Sequence, residues 1–118
     1  MREEIPSISL IEVADVLRRV IRGQAAATVI LGPYAPGKEP EVRFVADGFI
    51  ISIYLEAGFL DYVEWAEAAD GRYCAFDDWY QVAMKADLEF TDPLEMLSEK
   101  ERAVLQRVLT EAPSAPEA

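Results

Sequence analysis

The sequence predicts an α+β domain: an N-terminal helix, a four- or five-stranded antiparallel meander, and one or two C-terminal helices packed on one sheet face. Three observations carry that class. A capping pattern, Ser9-Leu10-Ile11-Glu12, opens a stretch whose apolar residues recur three and four apart. Runs of alternating polarity follow, punctuated by Asp47-Gly48 and Asp70-Gly71, pairs that favour hairpin turns. After Asp92-Pro93 the spacing becomes helical again.

The first helix is expected over residues 10–22. Val13, Ala14, Val16, Leu17, Val20 and Ile21 fall on one side, Asp15, Arg18, Arg19 and Arg22 on the other, and Gly23 ends it. The arginine stripe reads as a solvated helix face near the negative end of the helix dipole. Thr28 to Leu31 is a β-branched run, and the loop from Gly32 to Pro40 holds three prolines and two glycines that prevent regular structure. Glu41 to Val45 alternates charged and apolar residues, so one face is buried. Phe49 to Leu55 is apolar on both sides and reads as the central strand. From Leu60 to Ala68, period two places Asp61, Val63, Trp65 and Glu67 on one face and Leu60, Tyr62, Glu64 and Ala66 on the other. Arg72 to Phe76 is the returning strand. Between Trp79 and Thr91 the spacing of Trp79, Val82, Ala83 and Ala86 favours a short helix over a loop. Asp92-Pro93-Leu94-Glu95 starts a further short helix, and Ser98-Glu99-Lys100-Glu101 caps the last, striped by Val104, Leu105, Val108 and Leu109. Residues 1–112 form one domain and 113–118 a disordered tail.

Charge is regional. The chain of 118 residues carries a formal net charge of −11, and residues 56–95 hold eleven acids against two bases, Arg72 and Lys85. Residues 1–55 hold seven acids and six bases, and residues 96–118 four and three, so both flanks are nearly neutral. Aromatic residues within and before the acidic block exclude a disordered acidic tail. There is no histidine and one cysteine, Cys74, which removes Ser-His and Cys-His nucleophile pairs, histidine metal sites and Cys-rich zinc sites. No phosphate-cradling glycine motif is present. No apolar stretch is long enough to span a bilayer and no signal-peptide pattern precedes the first helix, so a cytoplasmic, membrane-free protein is expected.

The residues able to carry function lie in the acidic block. Asp77-Asp78-Trp79 places two carboxylates beside an indole, suited to Lys or Arg of a partner, with helix capping as the structural alternative. Glu64, Glu67, Asp70, Asp77 and Asp78 are oxygen ligands of the type that holds Ca²⁺ or Mg²⁺, without EF-hand order. A glycosidase-type carboxylate pair is chemically open. Tyr54, Tyr62 and Trp65 read as core residues ahead of a recognition strip. Cys74 reads as buried and inert.

The elements Asp47-Gly48-Phe49-Ile50-Ile51-Ser52-Ile53-Tyr54, Leu60-Asp61-Tyr62-Val63-Glu64, Asp70-Gly71-Arg72, Phe76-Asp77-Asp78-Trp79 and Asp92-Pro93-Leu94-Glu95-Met96-Leu97-Ser98 resemble a family of small uncharacterised bacterial proteins. The resemblance spans residues 10–110 and implies a helix, meander, helix architecture with no assigned activity. The expected function is therefore non-enzymatic and cofactor-free. It is an acidic protein-interaction module of the inhibitor or immunity kind, masking a basic, nucleic-acid-binding-like surface of a partner protein through Asp61, Glu64, Glu67, Asp70, Asp77, Asp78 and Trp79. No direct nucleic-acid contact is expected from so acidic a chain. The alternatives are a carboxylate-based metal or sugar enzyme, and a housekeeping domain whose charge keeps it soluble.

Overall fold

Ser9 opens the first helix as its capping pattern indicates. Its Oγ accepts from the Glu12 N–H at 3.1 Å, and α1 runs Leu10–Ile21. These and all following details come from a computed structural model, which describes residues 8–31 and 41–113. Only half of the expected capping box forms, because the Glu12 carboxylate turns to the Arg72 guanidinium through two bonds of 3.0 and 2.8 Å. Val13, Ala14, Val16, Leu17 and Val20 are buried, as the apolar stripe requires. Gly23, at φ 74, takes the chain out of the helix.

Five antiparallel strands follow in the order β1-β2-β3-β4-β5: β1 Ala27–Leu31, β2 Glu41–Ala46, β3 Phe49–Glu56, β4 Phe59–Ala68 and β5 Tyr73–Ala75. The expected loop at 32–40 lies outside the described residues. Asp47 at φ 53 and Gly48 at φ 82 form the two-residue turn with both φ positive that the Asp-Gly pair favours. Ala57 (φ 53) and Gly58 (φ 86) repeat that geometry between β3 and β4. The Asp70-Gly71 turn is longer than expected. Ala68 N–H donates to Arg72 O at 2.8 Å and Gly71 N–H to Ala68 O at 2.9 Å, which makes a three-residue loop closed by Gly71 at φ 94.

The strict period-two reading of residues 60–68 is corrected by two irregularities in the β3–β4 register. Ser52 pairs with Trp65 but Ile53 with Val63, and Tyr54 pairs with Tyr62 but Leu55 with Leu60. Glu64 and Asp61 are thus the extra residues of two bulges, and each bulge shifts the alternation by one. Val63 and Ala66 both reach the core, while Tyr62, Glu64, Trp65 and Glu67 belong to the opposite face.

The chain then forms α2, Phe76–Ala86, a single 3-10 turn at Pro93–Met96, and α3, Glu99–Glu111. The helix expected within 79–91 therefore starts three residues earlier and stops at Asp87, which adopts φ 56. α1, α3 and the 3-10 turn cover one face of the sheet, and their apolar residues join Phe44, Ile51, Ile53 and Val63 in a single core. Trp79 is the largest fully buried side chain, and its Nε1–H donates to Ile8 O at 2.7 Å.

Side chains from this helical layer cap the edge of β4 where short β5 leaves it unpaired. Gln106 accepts from Leu60 N–H at 3.3 Å and donates to Gly58 O at 2.8 Å, and Asp92 accepts from Val63 N–H at 3.0 Å. At the other edge Val29 N–H donates to Pro113 O at 2.9 Å, so the first residue of the expected disordered tail is tied to β1. Residues 114–118 lie outside the described residues. Filling edge donors in this way removes a template for adventitious strand pairing.

Candidate functional site

The seven residues expected to meet a partner divide into three groups. Asp61, Glu67 and Asp77 are exposed and make no hydrogen bond or ion pair among the described residues. Glu64, Asp70 and Asp78 are exposed or half-buried but occupied. Glu64 lies 3.0 Å from Ser52 Oγ, Asp70 is bound by Arg72, and Asp78 reaches back to the Ala75 N–H at 3.1 Å to cap α2. Trp79, expected to meet a partner beside Asp77 and Asp78, is instead a core residue, 1% exposed. The helical spacing it shares with Val82 and Ala83 is the sequence signal for that burial.

The ion pairs are distributed unevenly. Arg18 joins α1 to Glu101 of α3 at 3.2 Å and donates to Met96 O at 2.6 Å. Arg19 holds Asp47 of the β2–β3 turn, Arg43 holds Glu41 two residues away along β2, and Arg72 holds both Glu12 of α1 and Asp70. The Arg72 contacts hold the Glu12 carboxyl below the usual range, and the Arg72 N–H and guanidinium do the same for Asp70. The Ser98 N–H, and then Arg18, lower Glu101. Of the five acids in these pairs only Asp70 belongs to residues 56–95. In that block Glu56, Asp61, Glu67, Asp77, Asp87 and Glu89 are exposed without a partner among the described residues.

The sheet face away from α1 and α3 carries aromatic rings, which corrects the core reading of Tyr54, Tyr62 and Trp65. Tyr54 stacks on Tyr62 at 5.3 Å, Tyr62 meets Phe76 at 4.7 Å, and Phe76 stacks on Tyr80 at 6.0 Å, a row running from β3 across β4 to α2. Burial and then the Glu64 charge raise the Tyr62 phenol above its ordinary value. Beside this row Trp65 stacks on Tyr73, and the Arg43 guanidinium sits 5.1 Å above the Trp65 ring. Buried Ser52 lies between two carboxylates, 2.7 Å from Glu41 and 3.0 Å from Glu64, and its single hydroxyl proton serves one at a time.

A second feature lies where the start of α1 meets α2 and the turn that follows it. An open cleft of about 380 Å³ is lined by Leu10, Ile11, Trp79, Val82, Leu88 and Phe90, among others, with Glu89 as its charged member. Ile11 and Leu88 are 60% and 49% exposed, high for large apolar side chains. No sequence pattern marked this cleft, because it joins residues 9–11 to residues 79–96 across the fold.

The family-model comparison matches residues 7–111 to a family described as Domain of unknown function (DUF7693). The chain belongs to this family. No curated protein and no solved structure matches it. For this family member the chemistry therefore has to be read from the residues themselves. Among the described residues no group of three acids or cysteines is placed to hold a metal ion, so the expected oxygen-ligand alternative has no ligand set there. No described helix is long and apolar enough to cross a membrane. Cys74 is buried and its thiol is pushed up to about 11 by burial, which leaves it a poor nucleophile. Asp92 is the one acid of the block held inside, where burial pushes its carboxyl up to about 7 despite bonds from the Leu94 and Val63 N–H groups.

Proposed function

We propose that this protein is an acidic protein-interaction module that binds a basic partner protein and masks its cation-rich surface, in the manner of an inhibitor or immunity protein. One observation carries the reading: of the five acids held in ion pairs only Asp70 belongs to the block, while six acids between Glu56 and Glu89 are exposed without a partner among the described residues. Like charges held near one another repel, and an oppositely charged surface relieves that repulsion on binding. Arg43 on Trp65, paired with Glu41, displays within the chain the contacts a partner arginine makes with an aromatic and acidic surface. Basic protein surfaces are commonly those that bind phosphate backbones, so the fitting partner is a nuclease or nucleic-acid-binding protein of the same compartment, the cytoplasm. The function is binding, with no catalytic step.

The test compares two double variants of equal charge change. Asp61→Asn with Asp77→Asn neutralises free acids of the block, and Glu99→Gln with Glu111→Gln neutralises acids outside it. A basic partner captured from the host and eluted by salt is measured by surface plasmon resonance against both. The first pair is expected to slow association and speed dissociation, and the second to change little. Association with the unmodified protein should weaken as the Debye length contracts from about 30 Å at 0.01 M salt to about 8 Å at 0.15 M. Equal effects from the two pairs, or indifference to salt, would remove the acidic block from the function.

A further inference from the structure

Resting on that reading, we infer that the cleft between the start of α1 and α2 seats an amphipathic helical segment of the basic partner, its apolar side chains inside and a Lys or Arg against Glu89. The volume, about 380 Å³, falls in the range of sites that take organic ligands, roughly 300–1,000 Å³. Its lining is apolar apart from Ser9 and Glu89. The Ser9 hydroxyl already accepts the Glu12 N–H as the cap of α1. Glu89 is exposed and has no partner among the described residues.

Charge complementarity selects the occupant. From Phe76 to Met96 the acids are Asp77, Asp78, Asp87, Glu89, Asp92 and Glu95, and the one base is Lys85. An acyl chain with an anionic headgroup meets Glu89 and the net negative segment that carries it unfavourably, whereas a helix with apolar residues at i, i+3, i+4 and i+7 and lysines beside them satisfies both the apolar lining and Glu89. Trp79 makes the floor rigid because its ring is buried and its indole N–H is bonded to Ile8 O. Ile11 and Leu88 form exposed walls, so shortening them alters the cleft without opening the core.

The probes are three labelled synthetic helices of fourteen residues: Leu/Lys with leucine at i, i+3, i+4 and i+7, the same leucine pattern with Glu for Lys, and the Lys peptide with Ala for Leu. Fluorescence anisotropy against the full chain should find the Leu/Lys peptide at least tenfold tighter than either of the others. Ile11→Ala with Leu88→Ala should weaken it at least tenfold with an unchanged thermal melt. Glu89→Gln should weaken it several-fold and flatten its salt dependence. Leu/Lys binding that the Ile11 and Leu88 changes leave intact would overturn the cleft assignment and spare the acidic-module reading. Equal binding of the Leu/Glu peptide, lost in those same variants, would instead overturn the charge reading. Binding to phosphatidylcholine vesicles through Ile11 and Leu88, with no peptide bound, would assign the cleft to lipid and overturn the inference.

Discussion

Around the first helix charge is used as a fastener, and between Glu56 and Glu95 most of it is left free. Arg18 ties α1 to α3 and the 3-10 turn, Arg19 ties it to the β2–β3 turn, and Arg72 ties the β4–β5 turn back to Glu12. Each pair joins elements distant in sequence: the Arg18 contacts bind the helical layer together, and the other two hold it in register with the hairpins. The free acids Asp61, Glu67, Asp77, Asp87 and Glu89 join nothing among the described residues. The same residue types thus do opposite work in the two regions. In one a carboxylate lowers the energy of the folded chain, and in the other it raises it slightly by repulsion. That repulsion is what the proposed binding of a basic partner would relieve.

Asp92 offers the strongest way to break this contrast, because it belongs to the acidic block yet serves the fold. Its carboxyl caps the 3-10 turn and fills the edge of β4, and burial raises it from 3.8 to about 7. The group is protonated in both states at low pH. As pH rises past the unfolded value the unfolded chain gives up the proton while the folded chain keeps it, so stability falls until the folded value is passed. The loss should reach about 2–4 kcal/mol between pH 4 and pH 8. On the fastened side the lowered carboxyls of Glu12 and Glu101 work in reverse: their contribution is present above their unfolded values and disappears as pH falls through the folded ones. Stability should therefore peak on the acid side of neutrality. Urea unfolding of the wild type and Asp92→Asn at pH 5 and pH 8 checks this. The variant should be less stable at pH 5, since its amide offers one acceptor oxygen to two N–H groups, and nearly flat between the two. A shared pH slope would place the effect elsewhere.

The next largest effect concerns the fasteners. Arg18→Met keeps the aliphatic stem and removes the cation that serves Glu101 and the Met96 carbonyl, so it should cost about 1–3 kcal/mol in chemical denaturation. Neutralising Asp61, Glu67, Asp77 and Glu89 together should leave stability unchanged or raise it slightly at low salt. If both variants lose stability alike, the two regions do not differ in the way charge is used.

The contrast itself was only partly legible in the sequence. The regional charge, both Asp-Gly turns, the capping serines at 9 and 98 and the helix-meander-helix order follow from local rules, since each depends on residues within a few positions. The sheet faces did not follow. A bulge at Glu64 is settled by cross-strand packing, and one inserted residue reverses every later assignment in the strand. A trace was present, for Val63, Ala66 and Ala68 are small or β-branched apolar residues whose spacing breaks period two. The pairing of Glu12 with Arg72, sixty positions away, and the meeting of Ile11 with Leu88 left no local sign. Which acids are free is therefore a property of the fold, although how many acids there are is a property of the sequence.

The smallest expected effect sharpens the comparison most directly, because the same turn occurs once in each region. Asp47-Gly48 and Ala57-Gly58 both place two residues at positive φ. Asp47 suits that conformation through its short polar side chain and is held by Arg19, whereas Ala57 has neither advantage and pays the strain of a β-carbon at φ 53. Ala57→Asn should stabilise the protein by about 0.5–1 kcal/mol by relieving it. Ala57→Asp supplies nearly the same conformational preference but adds a negative charge beside Glu56, at the edge of the block. The difference between the two variants isolates the repulsion that one more acid meets there. It should amount to a few tenths of a kcal/mol in favour of Asn at low salt and vanish in 1 M salt, where the Debye length is about 3 Å. Parallel urea melts of the two variants at both salts measure it, and equal stability at low salt would mean that the block repels too weakly for its relief to contribute to binding.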